Sequence, residues 1–220
     1  MEHRIEELVT LKTIAETLNP KERMKSTRLG NFQPIILRIF QSVLTNRSGS
    51  TSTRLAKYIV AEFRRQGVQA DLYDLHRDPV PFYSPDEAQD DHAGLLRLKR
   101  MAADADGFVL ASPEYHGSIS GVLKNALDHL GKEHFTGKPV LSATSSGGPV
   151  GISSLLQLQA MVRNLHGVNC PEWISIGGEQ RKLFETDPEG YLPEHAVLDR
   201  IHNALHGFLD LLRRVRGQAG

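Results

Sequence analysis

Gly107-Phe108-Val109-Leu110-Ala111-Ser112-Pro113-Glu114-Tyr115-His116-Gly117-Ser118 decides the fold. Its first five residues are a short apolar run of the kind that fills a strand buried on both faces. The rest carries a proline, a glycine, an aromatic ring and several hydrogen-bonding side chains, and reads as a polar loop. Gly121 to Asp128 follows, with Val122, Leu123, Ala126, Leu127 and Leu130 at helical spacing and Lys124, Asn125 and Asp128 off that stripe. Strand, polar loop and helix in this order form the unit of open α/β sheets, which bind ligands at the carboxyl ends of their strands.

The same unit recurs outward in both directions. Ile35-Ile36-Leu37-Arg38-Ile39-Phe40-Gln41-Ser42-Val43-Leu44 is rich in β-branched and aromatic residues and reads as the first strand. Thr45-Asn46-Arg47-Ser48-Gly49-Ser50-Thr51-Ser52-Thr53, almost wholly hydroxylic or flexible, opens a helix whose buried face is Leu55, Ala56, Ile59, Val60 and Phe63. From the residues alone that start has two readings. One is an ordinary N-cap; the other is an anion site, where first-turn N–H groups, helix dipole and hydroxyls meet a phosphate. The Gly-Lys-Ser/Thr of a Walker loop is absent. Val68 to Tyr73 alternates as a half-exposed second strand, and the proline-rich Pro79 to Pro85 excludes a helix. Asp86 or Ser84 is expected to cap the next helix, which turns Leu95, Leu98 and Ala102 inward.

Downstream, Val140 to Thr144 reads as the fourth strand and Ser145 to Gly151 as a second permissive loop. A helix over 152–165 carries Ile152, Leu155, Leu158, Met161 and Leu165, and Trp173 to Ile176 is the fifth strand. After the polar stretch Gly177 to Glu194, a last helix presents Leu198, Ile201, Leu205, Phe208 and Leu212. Leu8, Leu11, Ala15 and Leu18 predict an amphipathic helix over 4–18, ended by Asn19-Pro20. The chain therefore divides into an N-terminal helical extension, 1–34, and a domain over 35–220. Strands alternating with helices predict a parallel sheet covered on both faces.

The 26 Lys and Arg balance the 26 Asp and Glu with no long run of one sign, so no nucleic-acid groove or anionic membrane surface is expected as partner. No apolar stretch is long enough to span a bilayer, the first residues lack the apolar core of a secretion signal, and a cytoplasmic location is expected. Cys170 is the single cysteine, which excludes an internal disulfide and a multi-cysteine metal site. It reads as a small buried residue before Pro171, with a reactive thiol as the weaker reading. His202 and His206 stand four apart on the last helix, but no third ligand converges with them and no metal site is expected.

Ser112 to Asp128 resembles the NAD(P)H-dependent FMN reductases, a flavodoxin-like family that includes azo, quinone and chromate reductases. Pro113, Glu114, Tyr115, Gly117, Ser118, Leu123, Lys124, Asn125, Ala126 and Asp128 stand in the family's places, while His116 replaces the usual Asn. Against the family's Gly-Ser-x-Arg-x-x-Ser phosphate loop, Thr45, Arg47 and Ser50 hold the Ser, Arg and Ser places, and Leu44 replaces the glycine. Ser48-Gly49-Ser50-Thr51 also resembles the Thr-Gly-x-Thr core of flavodoxins, which leaves the register of the turn open. Ser146, Gly147, Gly148 and Gly151 match the Ser-Gly-Gly-x-x-Gly-Gly segment, whose last Gly is here Ile152.

The resemblance implies an α/β flavodoxin-like three-layer sandwich with a five-stranded parallel sheet of order 2-1-3-4-5. In that order the hydroxyl-rich loop and the Pro113 loop meet at one crevice. It implies FMN held at its phosphate by Thr45, Arg47, Ser50, Ser52 and Thr53. Around ribityl chain and ring it implies Pro113, Glu114, Tyr115, His116, Gly117, Ser146, Gly147 and Gly148. NADPH or NADH is the implied co-substrate, a small molecule (flavin, quinone, azo compound or metal oxyanion) the electron acceptor, and a homodimer or homotetramer the assembly. No dedicated catalytic acid or nucleophile is required. The imidazole of His116 has two open roles, as a donor to flavin or nicotinamide and as a loop-stabilising substitute for Asn. A flavodoxin-type electron carrier and a flavin-free regulatory or scaffold protein share the implied fold. Such carriers are usually strongly acidic, whereas this chain is formally neutral.

Overall fold

The sheet is laid out by strands whose side chains alternate between two apolar layers. The computed structural model describes residues 38–43 (backbone alone), 49–87, 89, 91–185 and 196–217. The helix expected over 4–18, the loop residues Thr45 and Arg47 and the linker over 186–195 lie outside the described residues. Strand β1 (Arg38–Val43) pairs in parallel with β2 (Gln69–Asp74) on one side and β3 (Gly107–Tyr115) on the other. β3 pairs in parallel with β5 (Pro139–Ser146), from Phe108↔Val140 to Pro113↔Ser145. β5 then takes two short parallel partners, β6 (Val168–Asn169) near its start and β7 (Ile174–Gly177) near its end. β4 (Ser118–Ile119) runs antiparallel to the end of β3.

The order across the described sheet is β2-β1-β3-β5-β6, with β7 also on β5 and β4 on β3. The α/β class is as expected, but the sheet is mixed and its seven strands exceed the expected five. The additional pieces have local causes. Two residues with left-handed backbone fold the chain back on β3, and Cys170-Pro171 interrupts the ladder between β6 and β7, where Pro171 has no N–H to contribute.

Helices cover both faces. Phe63 and Leu55 of α1 (Thr51–Arg65) and Leu205, Phe208 and Leu212 of α6 (Ala196–Gly217) pack with Val109, Ala111, Leu141 and Ala143. On the other face Leu95 and Leu98 of α2 (Ala93–Asp104), Leu123 and Ala126 of α3 (Gly121–Asp128) and Leu158 and Val162 of α5 (Ile152–Asn164) pack with Phe108, Leu110 and Val140. Neighbouring β3 residues thus point to opposite layers, as the period-two strand requires. The short α4 (Lys132–Phe135) adds Phe135, whose ring stacks on Phe108 with centroids 4.3 Å apart.

The cap of α2 differs from expectation. Ser84 accepts instead from the amide of Asp86 at 3.3 Å, and the helix begins later, where His92 Nδ1 accepts from Leu95 N at 3.3 Å. An unprotonated imidazole nitrogen does here what a carboxylate or hydroxyl does at other N-caps. The polar stretch after β7 is also more regular than expected, forming a 3-10 helix over Gly178–Phe184.

Candidate active site

β3 runs four residues beyond Ala111, so most of the predicted loop is strand. The chain reverses at His116 (φ 52°) and Gly117 (φ 72°), between the facing pairs Tyr115↔Ser118 and Glu114↔Ile119. Two central residues with positive φ are the requirement of a type I′ hairpin, for which Asn-Gly is the favoured pair. Histidine is among the few other side chains enriched in that region, so His116 meets the same backbone demand as Asn. Behind the hairpin, Ser112 Oγ accepts from Ser120 N at 3.0 Å, and Ser120 caps α3. Asn125 of α3 accepts from Tyr83 N at 2.9 Å and donates to the Pro81 carbonyl at 2.9 Å, so this motif residue clamps the proline-rich loop.

Glu114 joins the hairpin to the second loop. The N-cap of α5 is Gly151, which has no side chain to offer. Glu114 Oε2 takes that part from another strand, accepting from Ser154 N and Ser154 Oγ at 2.9 Å each. A carboxylate at a helix N-terminus also complements the dipole. The β5–α5 loop is held from its other side by Gly178 N, which donates to the Gly148 carbonyl at 2.8 Å. A Cβ on Gly177 would stand 2.2 Å from the Pro149 carbonyl oxygen, so only glycine permits this approach. The 3-10 helix then reaches α1, where Arg54 Nη1 donates to the Phe184 carbonyl at 3.1 Å.

These segments surround a cavity of about 430 Å³ at the carboxyl ends of β3 and β5, lined also by the start of α1. Ser50 caps α1, with its Oγ accepting from Thr53 N at 3.1 Å and lying 2.9 Å from Thr53 Oγ1. The first turn of α1 has no acidic residue, and its leading amides have no intrahelical acceptor. Of the residues predicted, Ser50, Ser52, Pro113, Glu114, Tyr115 and Gly147 line the cavity. Thr53, His116, Gly117, Ser146 and Gly148 are not among its lining. Thr53 is buried behind Ser50, and Ser146 Oγ accepts from Gly148 N at 3.1 Å within the loop.

Gly49, Thr51, Arg54, Ser145, Arg181 and Glu185 complete the lining and were not predicted. Arg54 lay one residue beyond the motif, and Arg181 sat in a polar stretch without periodicity. The donor set has two characters. Amides, hydroxyls and Arg54 gather at the start of α1, while Pro113, Glu114, Ser145 and Gly147 line the strand ends with Tyr115, which is 44% exposed. An anionic group joined to a flat heteroaromatic ring fits that division.

Other candidates are accounted for elsewhere. A cavity of about 360 Å³ lies between the start of β7 and α6, lined by Trp173 and Arg200, away from the strand-end loops. Burial pushes the Cys170 thiol up to about 12, and its Sγ donates to Glu172 Oε2 at 3.3 Å. His202 Nε2 lies 2.7 Å from Tyr58 Oη, and among the described residues no three His, Cys, Asp or Glu side chains gather as a metal site would require.

Residues 43–181 match the family described as NADPH-dependent FMN reductase. The chain is 32% identical over 177 residues to the NADPH azoreductase of Bacillus sp. (strain OY1-2), covering 80% of this chain and 94% of that protein. It is 37% identical over 162 residues to the FMN-dependent NADPH-azoreductase of Staphylococcus aureus, covering 69% and 86%. Among solved structures, FerB, a flavoenzyme NAD(P)H:(acceptor) oxidoreductase from Paracoccus denitrificans, superposes with a TM-score of 0.65 at 20% identity, covering 81% of this chain and 98% of that one. A flavodoxin from the domain Archaea gives 0.51 at 14% identity, covering 82% and 99%. At such identities the structures speak for the flavodoxin-like fold alone, whereas the sequence matches reach further: the chain belongs to the NADPH-dependent FMN reductase family.

Proposed function

We propose that this flavin oxidoreductase binds FMN in the cavity between α1, β3 and β5 and uses it to pass electrons from NADPH to a small oxidised acceptor. Family membership makes the chain an NAD(P)H-dependent enzyme with FMN as cofactor and NADPH as co-substrate. The observation that carries the site is convergence: the hydroxyl-rich start of α1 and the ends of β3 and β5, far apart in sequence, line one cavity. In this reading β6 and β7 together occupy the fifth position of a 2-1-3-4-5 flavodoxin-like order.

FMN, when bound, supplies the two-electron chemistry, and the chain supplies position, charge and exclusion of water. The amides of Thr51 and Ser52 and the hydroxyls of Ser50 and Ser52 would hold the phosphate, with Thr45 and Arg47 proposed as further phosphate contacts and Thr53 bracing Ser50. Pro113, Glu114 and Tyr115 would border the ring on one side and Ser145 and Gly147 on the other, with Ser146 and Gly148 holding the loop behind them. Glu114 acts here by fixing the two strand-end loops relative to each other through Ser154. His116 and Gly117 act by turning β3 back so that Tyr115 stands at the mouth of the cavity.

The acceptors this open site would serve are free flavin, quinone, azo compound or metal oxyanion. The enzyme is placed in the cytoplasm and assembled as a homodimer or homotetramer, and the exposed apolar side chains of Val150, Ile152 and Leu156 support the assembly. Anaerobic mixing of the FMN-loaded protein with NADPH should bleach the flavin band, and an azo dye, a quinone or free flavin should restore it. A flavin band that NADPH leaves unchanged would count against the proposal and favour a carrier.

A further inference from the structure

We propose that Arg181 sets the redox poise of the site, its guanidinium favouring the anionic reduced flavin over the neutral oxidised one. This rests on FMN occupying the cavity. Arg181 lines that cavity, and its Nη1 comes within 3.8 Å of the point where a Cβ on Gly147 would stand. Its Nε is buried and has no hydrogen-bond partner among the described residues. The guanidinium lines the cavity beside Gly147, where its Nη groups are donors to a ligand acceptor.

Position along the 3-10 helix separates Arg181 from the phosphate end. The helix is tied to the β5–α5 loop at its first residue, through Gly178 N and the Gly148 carbonyl. It is tied to α1 at its last, through the Phe184 carbonyl and Arg54. Arg181 lies one 3-10 turn before Phe184, roughly 6 Å along the axis at about 2 Å per residue. Arg54 therefore serves the start of α1, and Arg181 serves the end bounded by Gly147. The phosphate carries the same charge in both oxidation states, whereas the ring gains negative charge on two-electron reduction. A cation at the ring end distinguishes the two states, and a cation at the phosphate end does not.

The test compares wild type, R181Q and R181K in two measurements: the dissociation constant of oxidised FMN by fluorescence quenching, and the midpoint potential of the bound flavin. R181Q is expected to weaken reduced FMN about tenfold more than it weakens oxidised FMN. That ratio lowers the midpoint by about 30 mV for a two-electron couple. R181K, which keeps the charge, should recover part of the loss. Equal weakening of both states in R181Q, or no change in either, overturns the proposal while leaving the flavin site intact. Wild-type protein that binds no FMN removes the flavin reading, and the proposal with it.

Discussion

Replacing His116 separates a backbone role from a side-chain role. Its φ of 52° and the φ of 72° at Gly117 fix a two-residue reversal, and the imidazole itself is exposed and not among the cavity lining. A β-branched residue in the left-handed region costs about 1–2 kcal/mol. At about 2–4 °C per kcal/mol for a chain of this size, His116→Val should lower the melting temperature by about 2–8 °C. FMN affinity should fall with it, since the hairpin positions Tyr115. His116→Asn should melt within about 1 °C of wild type and bind FMN equally well, because Asn accepts the same conformation. Thermal melts of the flavin-free protein and FMN titrations of all three proteins decide the matter. An Asn variant that melts normally but loses FMN affinity tenfold would refute the backbone account and assign the imidazole a direct contact.

Glu114→Ala removes the acceptor that caps α5 through both Ser154 bonds. A loss of about 0.5–2 kcal/mol is expected, as for other N-caps, with weaker FMN binding as the two loops loosen. Ser154→Ala keeps the backbone bond and should lose less in the same melts. Cys170, pushed up to about 12 by burial, should resist thiol reagents at pH 8 in the folded protein and react once it is unfolded. Its folded value is raised from 9.0, so this contribution to stability is full below pH 9 and fades from pH 9 to about 12 as the unfolded thiol ionises first. Tyr73, raised from 10.0 to about 12 chiefly by burial, adds to the same alkaline loss above pH 10. Denaturant melts across this range should show stability falling, and less steeply in Cys170→Ala.

The helices and central strands were legible because each buries one face or both. Leu55, Ile59 and Phe63 of α1 and Leu205, Phe208 and Leu212 of α6 occupy the layer that their spacing foretells. The hairpin was not legible, because Ser112-Pro113-Glu114 resembles a loop in composition. In the structure Pro113 extends β3 opposite Ser145, a place that its missing N–H permits near the end of a ladder. The clamp of Asn125 on Pro81 and Tyr83 and the cap by Glu114 on α5 join residues about 40 positions apart, and no local period encodes such pairs. The cavity was legible through its motifs at Ser50, Ser52 and Pro113 to Tyr115. Arg54 lies one residue beyond that motif, on the same first turns of α1, and Arg181 entered only through the path of the 3-10 helix.

The proposed FMN site is the cavity bounded by α1, β3 and the Ser145–Gly147 loop. Gly147 offers a place to block it, since an added Cβ there meets only Arg181 Nη1 within 4 Å, at 3.8 Å. FMN should be titrated into wild type and Gly147→Trp after circular dichroism has shown equal folding. Wild type should retain one FMN per chain, and the tryptophan variant should bind it at least tenfold more weakly. Equal FMN binding by a well-folded Gly147→Trp would contradict it, placing the flavin elsewhere.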